Sequence, residues 1–346
     1  MTDANMTRPT RYRLFTAGLV SLGVAGMGLA ACAQAQAAET VRIAEQYGIV
    51  YLPLHVIRDQ GLLKKEARQA GIELDVEWKQ LSGGANVNNA LLSDSIDIAA
   101  AGVGPLLTAW DRTRGSLDVK AIASLGNFPT YLVTNNPDVK TLADFSEHDR
   151  IAVPAVKVSV QARFLQMAAA KAFGQQHYAK LDDLTVSLPH PDATNALVSG
   201  GTELTAHFSN LPYQYQELAD PDVHKVLDSY DILGGPVSPV LLYATAAYRK
   251  NNPELYQAFL DALQQASEFI ADHPAEAVAT YKRVTGSKLD NDFLEDIITD
   301  DAINFSPVPN NTYPLAKFLH DVGAIRHSPA SWKDYFFPEA HDWEGS

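Results

Sequence analysis

The chain has 346 residues, 46% of them hydrophobic and 20% charged, which is the composition of a globular protein able to bury one large core or two ordinary ones. Its formal net charge is -14, and removal of residues 1–38 would take away three arginines and one aspartate and leave about −16. Such a balance excludes the basic footprint that nucleic acids and anionic membranes require, so any anion site must be local.

The N-terminus reads as an export signal. Arg8, Arg11 and Arg13 precede an apolar run from Leu14 to Leu29, and Ala33, Ala35, Ala37 and Ala38 offer A-x-A cleavage sites. The only cysteine, Cys32, follows Leu29-Ala30-Ala31 as in a lipoprotein cleavage box. Two readings stand: a lipid anchor at Cys32, or a leader cysteine discarded with the signal. Either way the mature chain has no thiol for disulfides or catalysis. No later run is apolar for long enough to span a membrane.

In chain order, a strand at 41–44 ends in Glu45-Gln46-Tyr47-Gly48, and a helix opened by Leu52-Pro53 is closed by Gly61. An alternating strand at 72–78 leads to the turn Ser82-Gly83-Gly84 and a short helix. The strand Ile96-Ile98-Ala100 leads to a second turn, Gly102-Val103-Gly104, with Pro105 expected at the first position of the next helix. A strand at 119–125 ends at Gly126-Asn127-Phe128. Strands alternating with helices point to a parallel sheet covered on both faces, with ligands at the carboxyl ends of its strands. Helix starts there are ready anion sites, because their first N–H groups are free and the macrodipole is positive.

A second copy of this architecture begins near Tyr131. A strand at 150–153 and a loop over 154–158, including Lys157 and Val158, precede Ser159, read as the cap of a helix through Phe173. Later strands end at Pro189-His190-Pro191-Asp192, at His207-Phe208-Ser209-Asn210, and near Asp228. After a strand at 240–245 the chain is helical, which suggests that the last hundred residues return to complete the first half. The expected organisation is an α/β fold of two doubly wound lobes: 39–128 with 240–346, and 129–239. Crossings near 128–133 and 239–243 would form a two-strand hinge. No G-x-S-x-G elbow, H-E-x-x-H, Walker loop or complete G-x-G-x-x-G occurs, and the histidines lack metal-ligand spacing, so neither a catalytic residue nor a metal or other cofactor is expected.

The segments GLLKKEARQAGIELDVEWKQLSGG (61–84), ALLSDSIDIAAAGVGPLL (90–107) and TLADFSEHDRIAVPAVKVS (141–159) occur in an order that resembles the substrate-binding proteins of the nitrate/sulfonate/taurine group of ABC importers. These are in turn similar to the thiamine-precursor-binding proteins. The resemblance covers roughly 39–340. It implies a type II periplasmic-binding fold, a periplasmic location, a small organic or inorganic oxyanion clamped between the lobes, and a permease with its ATPase as partners. Carried over residue by residue, the ligand wall is Gln46, Tyr47, Ser82, Gly83, Gly84, Gly104, Pro105 and Asn127 in the first lobe. In the second it is Lys157, Val158, Ser159, His190 and His207. Relatives often start a helix with Gly-Ser or Gly-Thr where this chain has Val158-Ser159, and carry Trp or Asp near His207; those departures leave the solute open. The alternatives are a secreted two-lobed enzyme or binder acting on a pyrimidine or thiamine precursor, or a sensor lobe.

Overall fold

In the computed structural model, the structure describes residues 38–346. The export signal and Cys32 therefore lie, but for Ala38, outside the described residues. Ten strands form two five-stranded sheets. The first contains β1 (Glu39–Glu45), β2 (Leu74–Gln80), β3 (Ile98–Gly102), β4 (Lys120–Ser124) and a late strand, β10 (Val240–Ala244). The second contains β5 (Tyr131–Thr134), β6 (Ile151–Val153), β7 (Thr185–Ser187), β8 (Ala206–Phe208) and β9 (His224–Asp228).

The orders are β2-β1-β3-β10-β4 and β7-β6-β8-β5-β9. Both sheets are mixed, not wholly parallel as the strand–helix alternation suggests. β10 runs antiparallel to β3 and β4, and β5 runs antiparallel to β8 and β9. The reversed strand of each sheet is the one that directly follows a crossing between the halves. The crossings themselves are non-strand segments at 125–130 and 234–239. They lie side by side, with Leu125 N–H donating to Val240 O (3.2 Å) and Phe128 N–H to Val237 O (3.2 Å). Of the crossings expected at 128–133 and 239–243, half of the first and most of the second are sheet, and the connecting segments are the loops before β5 and β10.

The first half carries α1 (Leu52–Gln60), α2 (Leu62–Gln69), α3 (Gly84–Leu92) and α4 (Val103–Thr113). Gly61 closes α1 in a left-handed conformation (φ 63) as expected, yet the chain at once restarts as α2, which the sequence reading passes over. Leu62, Leu63 and Ala67 bury its inner face. The second half carries α5 (Val160–Phe173), α6 (His190–Ser199), α7 (Tyr213–Leu218) and α8 (Ser229–Leu233). Then follow α9 (Ala246–Asn251), α10 (Pro253–Asp272), α11 (Pro274–Thr285), α12 (Asn291–Ile298) and α13 (Tyr313–Asp321). α10 and α11 pack on α1 and α2, whereas α13 touches both α4 and α5.

Side chains alternate across a strand, so each strand feeds two cores. Val41 and Ile43, Ala100, and Leu242 and Ala244 face the core built with α1, α2, α10, α11 and α12. Their neighbours Ala44, Ala99, Ala101, Leu241 and Tyr243 face a second core with α3, α4 and α13. That second core continues without a break into Phe164 and Leu165 of α5 and into Ile151, Val153 and Phe208 of the other sheet. A small third cluster, with Val133, Ala152 and Leu197, covers the outer face of the second sheet.

Candidate functional site

Strand ends of both sheets face one small cavity of ≈ 20 Å³. The first half contributes Gln46, Tyr47, Tyr51, Gly84, Gly102 and Pro105, with Val240 at the base. The second contributes Pro154, Ser159, Val160, Gln161, His190 and Asn210. Five helix starts meet there. Tyr51 is the N-cap of α1, Gly84 is the first residue of α3, Gly102 is the N-cap of α4, Ser159 is the N-cap of α5, and His190 is the first residue of α6. Each helix brings the positive end of its dipole, equivalent to roughly half a charge. The Ser159 hydroxyl accepts from Ala162 N–H (3.2 Å), while the N–H groups of Val160 and Gln161 find no acceptor among the described residues.

Six of the thirteen residues expected from the sequence line this cavity: Gln46, Tyr47, Gly84, Pro105, Ser159 and His190. The other seven do not. Ser82 is exposed and accepts from Asn86 Nδ2 through its carbonyl oxygen (2.8 Å). Gly83 and Gly104 are spacers between the halves: a Cβ on Gly83 would stand 2.5 Å from Pro154 O, and one on Gly104 2.9 Å from Val158 O. Asn127 lies in the crossing, where its Oδ1 accepts from Ser238 Oγ (2.9 Å). Lys157 is exposed at a left-handed backbone position (φ 60), and Val158 serves through its carbonyl as the facing surface for Gly104. His207 is wholly buried behind His190. Tyr51, Gly102, Pro154, Val160, Gln161, Asn210 and Val240 line the cavity beyond the wall residues expected from the sequence. A polar side chain between Val160 and Ala162 at the second position of α5 is the signal for Gln161.

The start of α4 also differs from expectation. Gly102 ends β3 and caps the helix at Val103, so Gly104 is helical and Pro105 is third rather than first. The shift carries Pro105 over Gly84, where an added Cβ would meet Pro105 Cγ at 2.2 Å.

None of the residues lining the cavity is a lysine or arginine. Glu45, at the end of β1, is buried beside His55, with 3.3 Å between Oε2 and Nε2. Burial, with the Glu45 carboxylate adding to it, holds the Tyr51 phenol far above its ordinary range. His190 is held well below its ordinary value by burial first and by His207 beside it second, so its imidazole is neutral. Its ring stacks on Tyr213 (centroids 5.8 Å apart, 17° between planes). Asn210 donates through Nδ2 to Tyr47 O (3.4 Å), and its Oδ1 is buried without a partner. Ile49 N–H donates to Leu211 O (3.0 Å), a second bond across the halves. Beyond Gln46 and Tyr47 opens a wider cleft of ≈ 840 Å³, walled by Trp78, Tyr213 and Tyr281 and reached by Arg58. The inner cavity has room for about one water.

A histidine depressed in the folded state binds its proton more readily when unfolded. Its contribution to stability is therefore lost as pH falls below about 6.5 toward the depressed value. His190→Gln should flatten the acid loss of the unliganded protein by up to about 1.4 kcal/mol per pH unit over that window. Urea midpoints at pH 7.5 and 5.5 measure it; parallel wild-type and variant midpoints would remove His190 as a source.

The family model described as NMT1/THI5 like matches residues 68–277. No curated protein matches the chain in sequence. Several solved structures are similar in fold. The alkanesulfonate-binding protein SsuA from Xanthomonas axonopodis pv. citri, bound to MOPS, has a TM-score of 0.64 at 18% identity, over 88% of this chain and 99% of that one. The Candida albicans CA3427 gene product, described as exhibiting the generic periplasmic binding protein structural fold, has 0.64 at 14% identity, over 86% and 96%. The periplasmic nitrate-binding protein NrtA from Synechocystis PCC 6803 has 0.61 at 14%, over 86% and 84%. The two mixed sheets are thus those of the periplasmic-binding-protein fold.

Proposed function

Since the chain belongs to the NMT1/THI5-like family, we propose that it is the extracytoplasmic solute-binding component of an ABC importer, capturing a small oxyanion between its two halves. The solute class is sulfonate, taurine or nitrate. The division into lobes of 39–128 with 240–346 and of 129–239 is part of this reading, supported by the two sheets and the paired crossings between them. Capture here is binding without chemistry, and delivery is to a permease with its ATPase. An export signal over 1–38 directs the protein to the periplasm, free or tethered at Cys32. Among the described residues no helix is long and apolar enough to cross a membrane, and no group of acidic, histidine or cysteine side chains is placed to hold a metal.

The observation that carries the reading is the meeting of five helix starts at one cavity. Free N–H groups and dipole ends favour negative charge irrespective of the solute's shape. A second reading, a neutral nitrogen heterocycle of the pyrimidine or thiamine-precursor class, is favoured by the unpartnered Asn210 Oδ1, an acceptor that a ring N–H would satisfy.

Thermal unfolding with nitrate, ethanesulfonate, taurine, bicarbonate and aminopyrimidines separates them. A ligand at 100 times its Kd stabilises the fold by about 2.7 kcal/mol, a rise of several degrees for a chain of this size. A rise with an oxyanion is the expected result. A rise with pyrimidines alone would favour the second reading, and turnover of any stabilising compound would overturn binding without chemistry.

A further inference from the structure

Behind the cavity three buried ionisable side chains stand in line. His190 Nδ1 lies 2.8 Å from His207 Nε2, and His207 Nδ1 lies 2.5 Å from Glu217 Oε1. Glu217 and His207 are wholly buried and His190 nearly so. The cavity end of the line is Gln161, whose Nε2 lies 3.3 Å from His190 Nε2. Sheet order makes this line possible: β8 places His207 beside the start of α6, and α7 brings Glu217 underneath. Among the described residues, the only other bond to the Glu217 carboxylate comes from Thr194 Oγ1 (2.7 Å), and its Oε2 has no partner.

With the Gln161 amide nitrogen facing the ring, bond direction assigns the hydrogens: that nitrogen donates, His190 Nε2 accepts, and the His190 hydrogen is assigned to Nδ1. That N–H donates to His207 Nε2, which puts the His207 hydrogen on Nδ1, directed at Glu217. Both imidazoles are then neutral and the carboxylate at the far end is the only charge. A second arrangement satisfies every bond equally well. With one more proton, His190 carries N–H groups on both nitrogens, and Gln161 turns its amide so that its oxygen accepts or its N–H is freed. The two states differ by a single proton at the cavity wall.

An oxyanion entering this cavity meets no lysine or arginine among the lining residues. Burying a charge without a counter-charge is expensive even when dipoles face it. We propose that the line of Glu217, His207 and His190 supplies that counter-charge: capture of the anion takes up one proton, which gives His190 an Nε2–H aimed at the ligand while Glu217 balances it from behind. His190 is thus a ligand-binding residue, and His207 and Glu217 are positioning residues that set its tautomer and its affinity for the proton. This inference rests on the oxyanion reading above.

The other titratable groups around His190 leave this assignment intact. Tyr213 on α7 stacks on its ring, Asp192 follows it on α6, and Tyr47 and Tyr51 stand across the cavity. Arg163 on α5 is turned away, donating to Gln166 Oε1 (2.9 Å), and Glu45 is paired with His55. None offers a cation at the cavity. The unliganded His190, held neutral by burial, has its proton still to gain.

The test uses the full mature protein with nitrate and ethanesulfonate, anions that do not themselves titrate above pH 4. A pH-stat in unbuffered chloride solution avoids sulfonate and phosphate buffers, which would compete. About one proton should be taken up per anion bound near pH 6–7, and affinity should fall about tenfold per pH unit on the alkaline side of that uptake. Glu217→Gln keeps the hydrogen-bond geometry and removes the balancing charge; its uptake should drop toward zero and its affinity at pH 6.5 by tenfold or more. If Glu217→Gln does not fold, His190→Gln serves, and should also abolish uptake. Anion binding by the wild-type protein without proton uptake overturns this inference and leaves the oxyanion reading standing. Absence of binding by either anion at every pH overturns both. Uptake undiminished in both variants also refutes the assignment.

Discussion

Gly104→Ala is expected to weaken solute capture about 5- to 150-fold without loosening the unliganded fold. Gly104 is the second residue of α4, and in a helix alanine is the better residue by about 1 kcal/mol. The obstruction comes from the other half of the molecule. A Cβ there would stand 2.9 Å from Val158 O and 3.0 Å from Arg163 Cγ. The arginine stem can move; the carbonyl, held in the turn that leads into α5, cannot without displacing the helix start. Overpacking of this kind costs about 1–3 kcal/mol, and it is felt only when the halves meet, so it appears as lost affinity at about 1.4 kcal/mol per tenfold. Calorimetric affinity beside the melting temperature of the unliganded protein checks both parts. Equal affinity in variant and wild type would show that capture does not need this contact.

The largest effect on stability should come from Trp110→Ala. Trp110 lies toward the end of α4 with 2% of its surface exposed, and its Nε1 donates to Asp334 O (3.2 Å). Its ring meets Tyr335 edge-on at 6.1 Å, and the Arg114 guanidinium lies 4.9 Å from its centre. Truncation therefore opens a cavity, leaves the half-buried Asp334 carbonyl short of a donor, and frees the C-terminal segment from the second core. A loss of about 3–5 kcal/mol is expected for a buried tryptophan, a large share of the total stability of a typical domain. Urea unfolding followed by fluorescence of the remaining tryptophans measures it. A midpoint within error of wild type would mean that the segment around Tyr335 is held by other contacts. The solute affinity of the folded fraction should change little, because the cavity lies at the opposite end of α4.

Much of the fold is legible in the residues. The alternation Val41-Ile43, the buried run Ile98 to Gly102 and the caps Ser159 and Gly61 each state a local conformation, because period, capping and left-handed glycine are local physics. The return of the last hundred residues is legible too, since helices α10 to α13 bring no strand for a third sheet. Less legible are places where a neighbour distant in sequence decides. The helix α2 is marked by no cap of its own beyond the glycine that closes α1. The start of α4 moves to Val103 because Val103 N–H donates to Pro239 O (2.9 Å), a partner 136 residues away.

The candidate site divides in the same way. By itself the sequence determined that small and polar residues stand at strand ends and helix starts, and six such residues do line one cavity: Gln46, Tyr47, Gly84, Pro105, Ser159 and His190. It also determined that the net charge is negative, so that an anion site must be local. Only the tertiary structure decided which strand ends face a solute and which face the other half. Gly83 and Gly104 are expected in the ligand wall, yet they are glycine because backbone from the second half sits where a Cβ would be. His190 and His207 look equivalent in sequence, each following a strand. The order β7-β6-β8 sets one at the cavity and the other behind it, bonded to Glu217. Periodicity and capping act over a few residues, so a sequence states them outright. Which side chain shields which depends on how two sheets are ordered and brought together, and that depends on the whole chain at once.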